Sequence, residues 1–297
     1  MTDMRSNFRN CFCNPFSFLP LEQRENVGLW DKRDLESLYE FVIAKNCQGG
    51  IKELWILNDF MLDLSKFATK YDIKIKSIIK AEKVFSMPSS LLVDDGLLVF
   101  LDKLEDMNEN FLSEIVNFSS KFDLPLIINF GQNLQMLGLI ENRYCKSPER
   151  VLEDFGLLDR KCFLLGCNYL DKDALSLFDN YDVEYIFSPI TDAEKGAGFI
   201  NFKLYESRIC HLASCDERDI DLQKQADFLR LCTNNLLSLQ NAVAVQKYLN
   251  ILPFACDVED EQTAIKILKS KTTCHVENFE KTEQNYHKLL ARKDEII

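Results

Sequence analysis

The residues of this chain that could do chemistry are few and unevenly placed. There are eleven cysteines but only three histidines, His211, His275 and His287. Cys13, Cys167, Cys215 and Asp216 each fall near the end of an apolar, β-rich run. Thiolate and carboxylate are both zinc ligands, so these four form one candidate metal site. The competing reading makes the cysteines small core hydrophobes, since they alternate with apolar residues and lack the spacing of ligand pairs. A cysteine nucleophile needs a base, and His211 is the one histidine ahead of the C-terminal tail. It precedes Asp216 by about 16 Å of extended strand, too far for the two to work on one atom. Asp216 reads either as a ligand-binding or general-base carboxylate, or as a group that hydrogen-bonds a loop. The glycines of AEKGAG, residues 193 to 198, fit neither a P-loop nor a dinucleotide fingerprint.

Composition narrows the classes. The chain has 297 residues and is 46% hydrophobic, enough for a large core in one or two domains. Charged residues make up 28% and the net charge is -12, which argues against a nucleic-acid footprint and against anionic membrane surfaces. No apolar run approaches the ~20 residues of a membrane span. The opening Met1-Thr2-Asp3-Met4-Arg5 lacks the apolar core of a signal peptide. The odd cysteine count, with no CxxC, fits reduced thiols and a cytoplasmic location. Ten glycines and seven prolines argue against long disordered stretches.

The elements that must position these groups alternate. Strand patterns fall at Arg9 to Phe18, Lys52 to Asn58, Ile73 to Ala81, Gly96 to Asp102, Leu124 to Phe130, Cys162 to Cys167, Val183 to Ser188 and Ile209 to Cys215. In Ile73 to Ala81 lysine alternates with apolar residues, which reads as a half-buried strand. Helical patterns lie between most strands, including Asp31 to Asn46, Leu62 to Tyr71, Asn108 to Phe122 and one opened by Ser147-Pro148-Glu149. Eight β/α units predict an α/β fold, a (β/α)8 TIM-type barrel, with a doubly wound open sheet as the runner-up. The barrel is expected over residues 1–250, ending in helix from Leu222 to Leu249. Residues 251–297 are expected as a helical tail, packed on or extending from it. From Asp257 onward, acids and bases mix evenly, as on solvent-exposed helices.

Several segments carry a family resemblance. Residues 149 to 178, ERVLEDFGLLDRKCFLLGCNYLDKDALSLF, resemble the amidohydrolase pattern in which a helix ending in GLL feeds a strand ending in HC. SPITDAEKGAG, residues 188 to 198, is similar to CPxSNxxLGxG, with Pro189, Gly196 and Gly198 matching. HLASCDE, residues 211 to 217, resembles the ALGTD strand and puts Asp216 on the metal-binding aspartate. NFGQN, residues 129 to 133, resembles HxAES, and NPFSFL, residues 14 to 19, resembles NAHxHL. The family is the zinc-dependent amidohydrolases of the cytosine deaminase, chlorohydrolase and aminofutalosine deaminase type.

The departures fall on the chemistry that this resemblance implies. Phe16 and Phe18 stand for the paired histidines of the first strand, Asn129 for the fifth-strand histidine and Gly166 for the sixth. Gln132 stands for the catalytic glutamate, and an amide cannot shuttle a proton as a carboxylate does. Zinc is therefore expected from the family but its ligands are missing, and the flanking β-sandwich domain is expected to be absent. The resemblance leads to a non-catalytic protein binding a small ligand or a partner subunit, with homo- or hetero-oligomers open. Its pocket would comprise Phe16, Phe18, Asn129, Gly166 and Asp216. The alternative is a hydrolase or deaminase acting on C–N bonds through a rebuilt site, with Asp216, Gln132 and Cys215 as candidate catalytic groups.

Overall fold

The computed structural model describes residues 11–13, 15, 19, 27–48, 51, 53–87, 96–188, 192, 200, 202–205, 208–214 and 279–294. Eight parallel strands run round it: β1 Cys11–Cys13, β2 Glu53–Leu57, β3 Lys74–Lys80, β4 Leu97–Leu101, β5 Leu126–Phe130, β6 Cys162–Gly166, β7 Val183–Phe187 and β8 Cys210–Ser214. Each pairs with the next in sequence, and β8 returns to β1, with Cys11 opposite Leu212 and Cys13 opposite Ser214. The sheet is thus a closed parallel barrel, and the open doubly wound alternative is excluded. All eight expected strands are present. Their outward faces carry the helices α1 Lys32–Gln48, α2 Ser65–Tyr71, α3 Ala81–Val84, α4 Glu109–Phe122, α5 Leu134–Tyr144, α6 Pro148–Asp154 and α7 Lys172–Phe178. The sequence from Leu222 to Leu249, expected as helix, lies outside the described residues.

Local chemistry sets the joints. Asn108, Asn133 and Asp171 cap α4, α5 and α7, accepting hydrogen bonds from the backbone N–H groups of Phe111, Met136 and Ala174 at 2.8–2.9 Å. Pro148 sits in the first turn of α6, where it sacrifices no helical hydrogen bond. β4, LLVFL, is buried along its whole length, as a strand between a filled lumen and a helix layer must be.

The lumen is filled by side chains. Trp55 of β2 lies edge-on to Phe163 of β6 with ring centroids 4.6 Å apart, and His211 of β8 sits 5.7 Å from Trp55 and 5.9 Å from Phe163. Strands so far apart round the ring touch only through its centre. Leu57, Ile78, Leu98, Phe100, Ile127, Ile186 and Ala213 complete this inner core.

β3 is half-buried, as expected, and the geometry shows which face its lysines occupy. Lys76 is level with Trp55 and approaches its ring at 5.5 Å, and Lys80 is level with Phe100. The lysine face is therefore the lumen face, with Ile78 at the apolar waist and a cation towards each end. Ile79 faces the helices instead, within the outer core.

In the C-terminal tail, helix α8, Phe279–Asp294, is packed against α1 on one face. Thr282, Tyr286 and Leu289 are buried at helical spacing, and the Tyr286 ring stacks on Phe41 of α1 at 3.9 Å with the planes 2° apart. The even mixture of acids and bases on its other faces hid this stripe. Tyr286→Ala is expected to cost about 3 kcal/mol, read as a lower urea midpoint with an unchanged slope.

Candidate functional site at the barrel mouth

Parallel barrels expose functional groups at the C-terminal ends of their strands. Here the part of the mouth above β5 to β7 is spanned by contacts within the chain. Asn129 is on the lumen side near the end of β5, and its Oδ1 is buried without a hydrogen-bond partner. Beyond it, Gln132 donates from Nε2 to Oδ1 of Asp192 at 3.0 Å. Asp192 is 2% exposed and belongs to the segment following β7.

Gly166 ends β6 with φ +104°, a backbone conformation that disfavours any side chain. A Cβ placed there would lie 3.0–3.2 Å from the Cβ, Cα and N atoms of Gln132. Any side chain at 166 would therefore have to push Gln132 aside by a few tenths of an ångström, in addition to the strain of the positive φ. Asn129 offers an amide in place of an imidazole, and the Gln132 amide is engaged by Asp192. These residues do not fit a zinc ion, and among the described residues no group of three or more His, Cys, Asp or Glu is disposed to hold one. Phe16, Phe18, Cys215 and Asp216 lie outside the described residues.

The cysteine site is not assembled among the described thiols. Cys13 faces α1, where Asn46 Nδ2 approaches its sulfur at 3.8 Å. Cys167 lies on the far side of the barrel, and its carbonyl accepts from the Tyr205 hydroxyl at 2.8 Å. Burial pushes the Cys167 thiol well up, with Cys162 and Cys210 adding to the effect.

The other half of the mouth holds groups that the sequence reading passed over. Lys80 at the end of β3 pairs with Asp102, just past β4, at 3.3 Å. Asp59 follows β2. Burial pushes its carboxyl up, against the opposing pull of Lys83 and Lys80. Lys83 Nζ donates to the Asp59 carbonyl at 3.1 Å and lies 3.8 Å from its carboxylate. Asp59, Lys80, Asp102 and Asn129 thus form an arc of polar groups over four successive strands. The available signal was register: Lys80 shares the period-two face of Ile78, and Asp102 that of Phe100.

His211 sits at the opposite, N-terminal end, as its place in the strand implied. Its Nε2 is 2.6 Å from Glu184 Oε2, and Nδ1 is buried without a partner. Glu184 also accepts from Lys161. Burial alone would raise the Glu184 carboxyl, but the hydrogen bonds from His211 and Lys161 outweigh it and hold the group below its ordinary range.

No family model matches the chain. Over 88 residues it is 24% identical to the 5-methylthioadenosine/S-adenosylhomocysteine deaminase of Carboxydothermus hydrogenoformans, covering 30% of this chain and 20% of that enzyme. The enzyme of the same name from Caldicellulosiruptor saccharolyticus gives 22% with the same coverage. The match thus spans about a fifth of these relatives. Among solved structures, a zinc-bound adenosine deaminase of Xanthomonas campestris superposes with TM-score 0.64 at 13% identity, over 76% of this chain and 60% of that one. Guanine deaminase of C. acetobutylicum with bound guanine gives 0.65 at 12%, over 80% and 70%. Triazine hydrolase of Arthrobacter aurescens gives 0.66 at 13%, over 95% and 86%. The chain has the fold of amidohydrolase-type deaminases and hydrolases. At these identities the likeness is one of fold alone.

Two substitutions check the site geometry. Gly166→Ala should cost about 1–3 kcal/mol through backbone strain and the Gln132 contact. Gly138→Ala in α5, where a new Cβ meets nothing within 4 Å, should be neutral or stabilising by up to about 1 kcal/mol. Glu184→Gln should lose about 2 kcal/mol at pH 7. A carboxylate held below its unfolded value stabilises above that value, about 4.3, and stops doing so as the pH falls through its folded one. The gap between this variant and wild type should therefore shrink below about pH 4 in urea titrations.

Proposed function

We propose that this chain is a TIM-type amidohydrolase-fold protein that does not use zinc and binds a small polar ligand at the barrel mouth without hydrolysing it. The observation that carries the reading is the packing of Gln132 over Gly166, which crowds the position of the sixth-strand ligand that the resemblance implies. Asn129 in place of a fifth-strand imidazole supports it, as do phenylalanines at positions 16 and 18. The ligand contacts are assigned to the rim of β2 to β5, at Asp59, Lys80, Asp102 and Asn129. A lysine between two carboxylates and a free amide oxygen suits a ligand with both hydrogen-bond donors and acceptors. A cytoplasmic location and association with a second subunit belong to the same proposal. The net charge of -12 speaks against nucleic acid as a partner.

The second reading is a hydrolase acting on C–N bonds through a rebuilt site at Asp216. What favours it is that the matched proteins are deaminases and hydrolases. One experiment separates the two. The purified chain is incubated with 5-methylthioadenosine and S-adenosylhomocysteine, with and without added zinc, and ammonia is measured alongside metal content. The expected outcome is no ammonia above the enzyme-free rate and no stoichiometric zinc. Zinc-dependent ammonia release that disappears in Asp216→Ala would establish the second reading instead. A thermal-shift screen of nucleosides and small amides then seeks the ligand, and any positive shift should be lost in Lys80→Met.

A further inference from the structure

We infer that Gln132 and Asp192 form a clamp that cross-braces the ends of β5, β6 and the segment after β7, the mechanical task that a metal ion performs in a metal-centred mouth. The inference rests on the reading that no zinc centre occupies this position. A bound metal joins chain segments far apart in sequence, and its binding free energy is folding free energy. A mouth without one needs another tie. Gln132 and Asp192 are 60 residues apart and are joined by one hydrogen bond of 3.0 Å.

The backbone prepares this bond. Past the end of β6 the strand pairing continues, with Cys167 N–H donating to the Phe130 carbonyl at 2.8 Å and Tyr169 N–H donating to that of Gly131 at 3.2 Å. Asn168 Nδ2 reaches the Gln132 carbonyl at 3.5 Å. Residues 130 to 132 are thereby fastened across the end of β6, and Gln132 is pressed onto Gly166. Its side chain then extends to Asp192, itself turned back by a bond from its N–H to the Ser188 carbonyl at 2.8 Å.

The amide suits its partner. Asp192 is a buried carboxylate, and a buried charge needs donors. Glutamine supplies an N–H where glutamate supplies a second negative oxygen. Two carboxylates at this separation cannot both stay ionised in a buried place, so one must take a proton at a cost to stability. The resemblance places the proton-shuttling glutamate at residue 132. Substitution by glutamine therefore removes a general acid–base group and creates a donor in one step.

A double-mutant cycle at pH 7 tests the clamp. Gln132→Glu should lower the melting temperature by roughly 5 °C. Asp192→Asn alone should lower it less, because the asparagine oxygen still accepts. The double variant should recover to near wild type, since the introduced asparagine donates to the introduced glutamate and the bond re-forms with its polarity reversed. If Gln132→Glu melts like wild type, or if the losses in the double variant add, the clamp is wrong. If Gln132→Glu gives no soluble protein, Gln132→Met with and without Asp192→Leu decides the same point: partial recovery supports the clamp and simple additivity overturns it. Ammonia release by the wild-type protein would defeat the non-hydrolytic reading while leaving this coupling intact, so the two failures are distinguishable.

Discussion

Trp55, Phe163 and His211 meet in the middle of the ring, and both ends of the barrel depend on that contact. A closed eight-stranded barrel is only wide enough for the side chains that fill it. Once two aromatic rings and an imidazole occupy the waist, polar groups on the lumen faces are confined to the rims. Glu53, Lys76, Glu184 and Lys161 collect at the N-terminal rim, where Glu53 accepts from the indole of Trp55 at 3.0 Å and lies 3.6 Å from Lys76. Lys80, Asp102 and Asn129 collect at the other. The apolar plug keeps these two sets of charges apart, so the His211–Glu184 pair cannot serve the mouth. That pair is a buried hydrogen bond at the N-terminal rim, costly to break from one side.

At the mouth, residues 130 to 132 pack against the end of β6, and Gln132 is seated on a glycine with φ +104°. The rim then divides into a half tied by backbone hydrogen bonds past β5 and β6 and a half carrying Asp59, Lys80 and Asp102. Fold likeness at 12–13% identity coexists with this division because the barrel depends on strand burial, whereas chemistry depends on a few rim positions.

Much of the barrel was legible in the sequence because strands buried on both faces read as continuous apolar runs. GLLVFLD and LPLIINF announce themselves this way. The half-buried character of β3 was legible too, but not the face on which its lysines lie: only a closed barrel can turn that face inward and still give each ammonium an exit at a rim. The packing partner of helix α8 was not legible, because its buried stripe is short and set among charges. The candidate site was legible only through resemblance, which pointed to Asn129, Gln132 and Gly166. Asp59, Lys80 and Asp102 carry no motif. Their shared location is a product of strand register, and one sequence does not display register. Asp192 lay within a recognised segment, but nothing local identified it as the acceptor for Gln132.

The stacking of Tyr286 on Phe41 also has a consequence for biosynthesis. The two rings are about 245 residues apart in the chain. While the protein is being made, α1 emerges from the ribosome with Phe41 bare, and its cover is not yet translated. At ~5–20 residues per second that interval is roughly 10–50 s. β1 waits nearly as long for β8, so ring closure and the sealing of α1 are both late events. For that time the nascent chain presents an open sheet edge and an aromatic helix face, the two kinds of surface that chaperone holdases bind and that misassemble when left uncovered.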